Sequence, residues 1–296
     1  MTPVTAVQNR VSVTIVTRNR RDTLLATIAR LLTLPECPSI TVVDNGSTDR
    51  TVEAVRAAWP SVEVVALARN LGAAARTIGV ERSQTPYVAF SDDESWWAPG
   101  ALSRAADVLE ADPHLGVVAA RVLVGANEQE DPVCAMMASS PLDREPIAPG
   151  PAVLGFIACG AVVRRAAYLA VGGFHRHFGI GGEEELLAAD LVAAGWRVCY
   201  MDDVVTHHHP SPSRDPRRRR QVQTRNALWF AWLRRHPRTA FGHTLKALSH
   251  ARRDPVARAA LAEALRGLPW IVRERRRLPP AVEAALCLLD RHMKPG

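Results

Sequence analysis

Tyr87-Val-Ala-Phe-Ser-Asp-Asp-Glu-Ser-Trp-Trp-Ala-Pro-Gly100 joins a short apolar run, which reads as a buried strand, to three consecutive carboxylates, two tryptophans and a Pro-Gly turn. Adjacent negative charges repel one another. A divalent cation at the strand end is the most economical way to compensate them. A solvated loop is the ordinary fate of an Asp-Asp-Glu run; the apolar strand before it and Trp96 and Trp97 after it favour the cation here.

Upstream, Val11-Ser-Val-Thr-Ile-Val16 has the β-branched character of a parallel strand buried on both faces, and it breaks into the polar stretch Thr17 to Asp22. A helix follows, with Leu24, Leu25, Ile28, Leu31 and Leu32 on one face. Ile40 to Val43 is a second strand. Asp44-Asn-Gly-Ser-Thr-Asp49 ends it, and its hydroxyl side chains can cap a helix from Arg50 to Trp59. Val62 to Leu67 is a third strand, turned by Asn70-Leu-Gly72 into an alanine-rich helix, Ala73 to Arg82. This alternation predicts an α/β fold with an open, mixed but mostly parallel sheet flanked by helices. In such sheets ligands bind beyond the carboxyl ends of the strands. All four strands end in polar residues, at Thr17-Arg18-Asn19, Asp44-Asn45-Gly46, Arg69-Asn70-Gly72 and Asp92-Asp93-Glu94, so the ends converge on a pocket for a polar ligand. Gly72 lets backbone approach that ligand closely. No G-x-G-x-x-G follows the first strand, which disfavours a nicotinamide or flavin enzyme.

Downstream, a helix over Gly100 to Asp112 and a strand over Gly116 to Val124 lead into a long, proline-rich excursion from Gly125 to Gly150, placed to cover an acceptor. Leu154 to Val163 is a strand or buried turn. Phe178-Gly-Ile-Gly-Gly182 reads as a flexible loop before Glu183, Glu184 and Glu185, which open a helix. Carboxylates in a first helical turn suit the helix dipole, and one behind a glycine-flexed loop also suits a general base. After a strand over Trp196 to Met201 come His207, His208 and His209. In an extended segment only His207 and His209 share a side. From Arg214 on, arginine-rich amphipathic helices follow, with Trp229 and Trp232 read as packing residues.

With 296 residues, 47% of them hydrophobic, the chain can bury one large domain with an appendage. Five cysteines with no CxxC pairing suit a reducing compartment and argue against a thiolate zinc site. The first ten residues have no apolar signal core, and no uncharged apolar run reaches the ~20 residues of a membrane span. A soluble, cytoplasmic protein is expected. The net charge of +7 comes mostly from arginines after residue 213, a solvated basic face rather than a nucleic-acid footprint. Basic and apolar faces together also suit an acidic protein partner or peripheral contact with the inner face of a membrane. The oligomeric state is open, a homodimer included.

The ordered set Val13-Thr-Ile-Val-Thr-Arg-Asn-Arg20, Val42-Val-Asp-Asn-Gly-Ser-Thr-Asp49, Asn70-Leu-Gly72, Ser91-Asp-Asp-Glu94, Val171-Gly-Gly-Phe174, Gly182-Glu-Glu-Glu185 and Thr206-His207 resembles the family 2 glycosyltransferases, inverting enzymes with the Rossmann-like GT-A fold. The resemblance covers roughly residues 10 to 210. It implies a catalytic domain over 1–213, with 214–296 a basic helical extension packed on or beside it. It implies a nucleotide-sugar donor, most often UDP-linked, with dTDP- and GDP-linked sugars as the next options. Thr17, Asn19, Asp44, Gly72 and Arg76 would line the nucleotide pocket, and Asp93 would face the ribose. Asp92 and Glu94 would hold Mn2+ or Mg2+ with His207, Glu94 standing where Asp is commoner. Glu184 would be the base, with Glu183 and Glu185 as neighbouring candidates. The acceptor is open among a cell-envelope glycan, a lipid-linked intermediate, a small natural product and a carrier-bound aglycone. A nucleotidyltransferase and a noncatalytic nucleotide-sugar-binding protein are the rival readings.

Overall fold

β-branched segments that bury both faces are the natural interior strands of a parallel sheet, and they form one here. The structure, a computed structural model, describes residues 10–142, 148–211 and 215–292. The expected domain boundary at 213/214 and part of the 125–150 excursion lie outside these. In chain order the elements of the sheet-bearing part are β1 (Val11–Thr17), α1 (Arg21–Leu32), β2 (Ile40–Asp44), α2 (Thr51–Ala58), β3 (Glu63–Ala66), α3 (Ala75–Arg82), β4 (Tyr87–Asp92), β5 (Ser95–Trp97), α4 (Ala101–Ala111), β6 (Leu115–Val124), β7 (Gln129–Glu130), α5 (Pro132–Ala138), β8 (Ala161–Arg164), α6 (Arg165–Ala170), α7 (Glu183–Ala193) and β9 (Arg197–His208). Five helices follow: α8 (Pro216–Arg234), α9 (Pro237–Ala251), α10 (Pro255–Arg266), α11 (Leu268–Glu274) and α12 (Pro280–His292).

The strands run β3-β2-β1-β4-β8-β6-β9-β5, with β7 added to β6. The first four in that order are mutually parallel. Their register sets Thr17 beside Asp44 and Val16 beside Asp92, so their polar ends share one edge. Direction then decides what else reaches that edge. β8 is antiparallel to β4 and β6, so it delivers its beginning there, the turn Ala158–Gly160. β6 and β9 run parallel to each other, so β9 delivers its end, His207 and His208.

Apolar side chains pack on both faces of the sheet, α1, α2 and α4 covering one and α3, α6 and α7 the other. Contact is close enough that a Cβ at Gly79 of α3 would lie 2.2 Å from Thr14 Cγ2 of β1. The expected cap of α2 differs: Arg50 precedes the helix in a left-handed conformation without a side-chain cap bond, and Asp49 accepts from Thr51 instead. The excursion after β6 is less irregular than its prolines suggest. It contains β7 and α5, whose first turn is capped by Asp131 with Pro132 at the first helical position.

No helix among the described residues is long and apolar enough to cross a membrane. The C-terminal helices share a core with the sheet-bearing part: Leu228, Trp229, Phe230 and Leu233 of α8 pack with Phe178, Leu186 and Ala189. Trp229 and Trp232 are packing residues, their indole N–H groups donating to Ala264 O and Thr244 Oγ1. A buried, two-pronged ion pair ties the halves, Arg234 Nε and Nη2 reaching the two Asp190 oxygens at 2.6 and 2.9 Å. Replacing one partner of such a pair strands a buried charge. Arg234→Ala should therefore cost about 3 kcal/mol, the lower end of that range because Arg276 lies 3.7 Å from the same carboxylate. Guanidinium unfolding should show this as one transition shifted as a whole; a second, unshifted transition would mean that 215–292 folds independently.

Candidate functional site

At the carboxyl edge a cleft of about 2150 Å³ opens between the strand ends and the C-terminal helices, lined among others by Thr17, Asn45, Gly72, Arg76, Asp92, Asp93, Glu94, Cys159, Glu184 and His208. It exceeds the few hundred to ~1,000 Å³ of a typical small-molecule pocket, leaving room for two substrates.

At the end of β2, Asp44 is buried beneath the lining. One of its oxygens accepts from Ser47 N at 2.9 Å and the other has no hydrogen-bond partner. Asn45 lines the cleft above it, accepting from Leu71 N and donating to Gly72 O. Asn19 departs from expectation: it is exposed, outside the lining, with its side-chain oxygen committed to Thr48 N at 2.8 Å. It ties the first two strand-end loops together. Thr17 Oγ1 donates to Asp93 at 2.8 Å. Burial pushes the Asp93 carboxyl up to about 6 against the pull of that bond.

The acidic stretch is not extended as the spacing suggests: β4 ends at Asp92, Asp93 and Glu94 form a turn, and β5 pairs back onto β9. Asp92 pairs with the buried Arg76 guanidinium, and its backbone N–H donates to Ser95 Oγ. Glu94 is buried, with Oε2 accepting from Ser211 N at 2.8 Å and Oε1 3.5 Å from His208 Nε2. His207 is corrected. It faces away, stacked on Trp96 with ring centroids 5.5 Å apart and its Nδ1 3.0 Å from Glu128 Oε1. Alternation does place His207 and His209 together, both against Trp96. The neighbouring His208 takes the cleft side.

The reason is an irregularity in β9. Ala120 of β6 pairs with Met201 and the next residue, Arg121, with Val205, so three extra residues bulge out of β9. An odd insertion exchanges the two faces of everything beyond it.

A divalent cation fits the donors present. Asp92, Cys159 and His208 each offer a ligand atom, all within 4.8 Å of one another, with Glu94 beside His208. His208 Nε2 is buried without a hydrogen-bond partner, as a ligand nitrogen awaiting a cation would be.

Across the cleft, Gly182 precedes α7 in a left-handed conformation and Glu183 to Glu185 form its first turn. Glu183 is buried with one oxygen unpartnered. Burial raises both Glu183 and Glu184, Glu184's charge adding to the push on Glu183, while Arg76 pulls both down. Glu185 keeps water contact inside the cleft, although protein surrounds it, and is pushed up to about 7; the charges nearest it include Asp290 and Arg235 of the C-terminal half. Arg76 and Asp92 are among the charges that act on Glu184.

The glycine loop before this turn is clamped rather than loose. Asn226 of α8, fully buried, donates to Phe178 O at 2.9 Å and Gly181 O at 2.6 Å, and Arg225 also donates to Phe178 O. From the other side Ala73 N donates to Gly179 O at 3.0 Å. A Cβ at Gly72 would lie 2.7 Å from Gly179 Cα, so this glycine serves the approach of two loops. Sequence reasoning missed Asn226, although an amide one helical turn from Val222 and from Phe230 on an apolar helix face was a usable signal.

Residues 12–172, more than half of the chain, match the family model described as Glycosyl transferase family 2. Over 212 residues the chain is 25% identical to the N-acetylglucosaminyl-diphospho-decaprenol L-rhamnosyltransferase of Mycobacterium tuberculosis, covering 60% of this chain and 69% of that protein. Over 98 residues it is 33% identical to the succinoglycan biosynthesis protein ExoU of Rhizobium meliloti, covering 32% of this chain and only 29% of that relative's length. A mannosyltransferase from Pyrobaculum calidifontis in complex with GDP-Man and Mn2+ superposes with a TM-score of 0.60 at 21% identity, over 98% of this chain and 77% of that one. TarS of S. aureus in complex with UDP-GlcNAc superposes at 0.57 with 15% identity, over 75% and 66% of the two chains. At these identities the structural likeness is one of fold.

The raised carboxyls carry a stability cost with a definite sign. A folded-state value above the unfolded one means that the folded form binds the proton more tightly, so stability is greatest below about 4.5 and falls as pH rises. Burial holds His175 and His243 below their ordinary value, which opposes this below pH 6.5, so the clean window is about 6.5 to 8.5. There Glu183→Gln should be more stable than the parent by a margin that grows by up to about 1.4 kcal/mol per pH unit, seen as a gap in melting temperature that widens with pH. A constant gap in a pH series of melts would remove the buried carboxyl from this account.

Proposed function

The chain belongs to glycosyl transferase family 2, a glycosyltransferase on a GT-A fold, and from that premise we propose that it moves a sugar from a nucleoside-diphosphate donor to an acceptor hydroxyl with inversion, in one displacement. The observation that carries this reading is that Asp92, Arg76 and Glu184 line one cleft large enough for both substrates, with Asp92 paired to Arg76 and the charges of both acting on Glu184.

On the donor side the unpartnered Asp44 oxygen is offered to an N–H of the base, and Asp93, oriented by Thr17, to a ribose hydroxyl. Asp92, Glu94 and His208 hold the divalent cation, Mn2+ or Mg2+, which when bound stabilises the negative charge growing on the leaving diphosphate. Arg76 holds Asp92 in place and keeps its own charge against burial. On the acceptor side Glu184 accepts the hydroxyl proton as the oxygen attacks the anomeric carbon. Burial raises its proton affinity toward neutrality, which makes a carboxylate a better base. The clamp from Asn226 fixes the Glu184 backbone relative to the strand-end loops, and small misplacements at this distance are costly.

A UDP-linked donor is our first choice, with dTDP- and GDP-linked sugars next; relatives of this fold carry UDP-GlcNAc and GDP-Man. The acceptor half of the cleft is apolar at Met136, Met137 and Leu154 and basic at Arg218 and Arg219. This lining suits a glycan on an anionic lipid diphosphate, the acceptor type named for the mycobacterial relative. Exposed Phe241, Leu245 and Leu248 on one face of α9 would favour peripheral membrane contact during such a reaction.

Glu184→Gln should lower kcat by roughly 10²- to 10⁴-fold while nucleoside-diphosphate binding, followed by thermal shift across UDP, dTDP and GDP with and without Mn2+, stays intact. Glu185→Gln should lose much less. The parent's kcat/KM should fall as pH drops through a value above the ordinary carboxylate range, because the protonated base cannot accept a proton. Full transfer by Glu184→Gln would discard the base assignment. Release of pyrophosphate instead of a nucleoside diphosphate would turn the reading to nucleotidyl transfer, and binding without turnover to a noncatalytic role.

A further inference from the structure

Cys159 is buried, but in unusual company for a buried cysteine. Cys134 and Cys199 lie in the apolar clusters on either side of the sheet, where a thiol behaves as a small hydrophobe. Cys159 belongs to neither. Its side chain lines the cleft, with Asp92, Arg76 and Glu184 among the charges around it. The fold holds it there firmly. Cys159 is the middle residue of the turn Ala158–Gly160 that leads into β8, and a Cβ at Gly160 would lie 2.8 Å from Val122 Cγ2 and 3.2 Å from Thr206 Cγ2. The turn is thus wedged between β6 and β9, and Thr206 Oγ1 reaches Cys159 O at 3.4 Å.

That wedge brings a sulfur into reach of a carboxylate oxygen and an imidazole nitrogen. Cys159 Sγ and the ligand atoms of Asp92 and His208 all lie within 4.8 Å of one another, a spread that one ion at ordinary metal–ligand lengths can bridge. His208 Nε2, without a hydrogen-bond partner, faces this group.

We propose that the thiol of Cys159 is a direct ligand of the cation held by Asp92 and His208, so that the site prefers borderline cations such as Co2+ and Zn2+ to Mg2+. A sulfur, a nitrogen and an oxygen suit Zn2+ and Co2+, whereas Mg2+ requires oxygen ligands. Binding displaces the thiol proton to solvent, one proton per ion, and leaves the sulfur as thiolate. The inference rests on the reading of this edge as a cation site but adds a ligand type and a metal preference to it.

Co2+ titration of the full-length protein, alone and with UDP, separates the two. The parent should show visible d–d bands together with a near-ultraviolet sulfur-to-cobalt charge-transfer band. Cys159→Ser should keep the d–d bands and lose the charge transfer, and should bind Zn2+ at least about 10-fold more weakly with its Mg2+ affinity unchanged. Cys37→Ser, which removes the exposed thiol, should resemble the parent. Visible bands without charge transfer in the parent, or charge transfer persisting in Cys159→Ser, would overturn the Cys159 assignment and leave the cation site standing. No Co2+ spectrum under any condition would overturn both. Should Cys159→Ser fail to fold, X-ray absorption at zinc on the parent decides alone, since a sulfur shell near ~2.3 Å is required.

Discussion

The charge on Arg76 underlies the whole cleft. Its guanidinium is buried, paired with Asp92, and attracted by Glu183 and Glu184, which outweigh the cost of its burial. A buried cation without carboxylates, or clustered carboxylates without a cation, would each be costly to take out of water. The two sets make each other tenable. They also come from distant parts of the chain, the helix after β3, the end of β4 and the first turn of α7, so this electrostatic arrangement can exist only once the sheet has closed over it. Burial still raises the proton affinity of Glu184 against the pull of Arg76.

The parts of the fold carried by local pattern were legible before any coordinates. β1 to β4 and the helices between them lie within a residue or two of where periodicity and turn residues put them, because a parallel strand buried on both faces must be apolar throughout and must break sharply. Thr17, Asp44, Asp92 and Asp93 gather at the predicted edge for the same reason, whereas Arg76 was expected there only from the resemblance. What was not legible depends on pairing. β5 is three residues long and exists because β9 runs alongside it. His208 replaces His207 at the cleft because three extra residues in β9 invert its faces, and no periodicity within β9 reveals how many residues its neighbour skips. Cys159 reads as an ordinary buried cysteine in an apolar run; only the antiparallel course of β8 carries its turn to the carboxyl edge.

The C-terminal helices change meaning most between sequence and structure. As a string of arginines and amphipathic repeats they suggest an appendage with a partner elsewhere. In the fold they complete the site: Asn226 and Arg225 spend their donors on the carbonyls of the glycine loop, and the Arg234–Asp190 pair anchors α7 at its far end. Helix α7 is therefore held at both ends by α8, with Glu184 in its first turn. The glycines from 179 to 182 have left-handed backbone conformations at three of four positions and could not hold one shape unaided. A carboxylate fixed behind such glycines requires an external clamp, and the buried amide-to-carbonyl bonds of Asn226 supply it. Opening this loop would break the Asn226 and Arg225 bonds, so its position is coupled to α8.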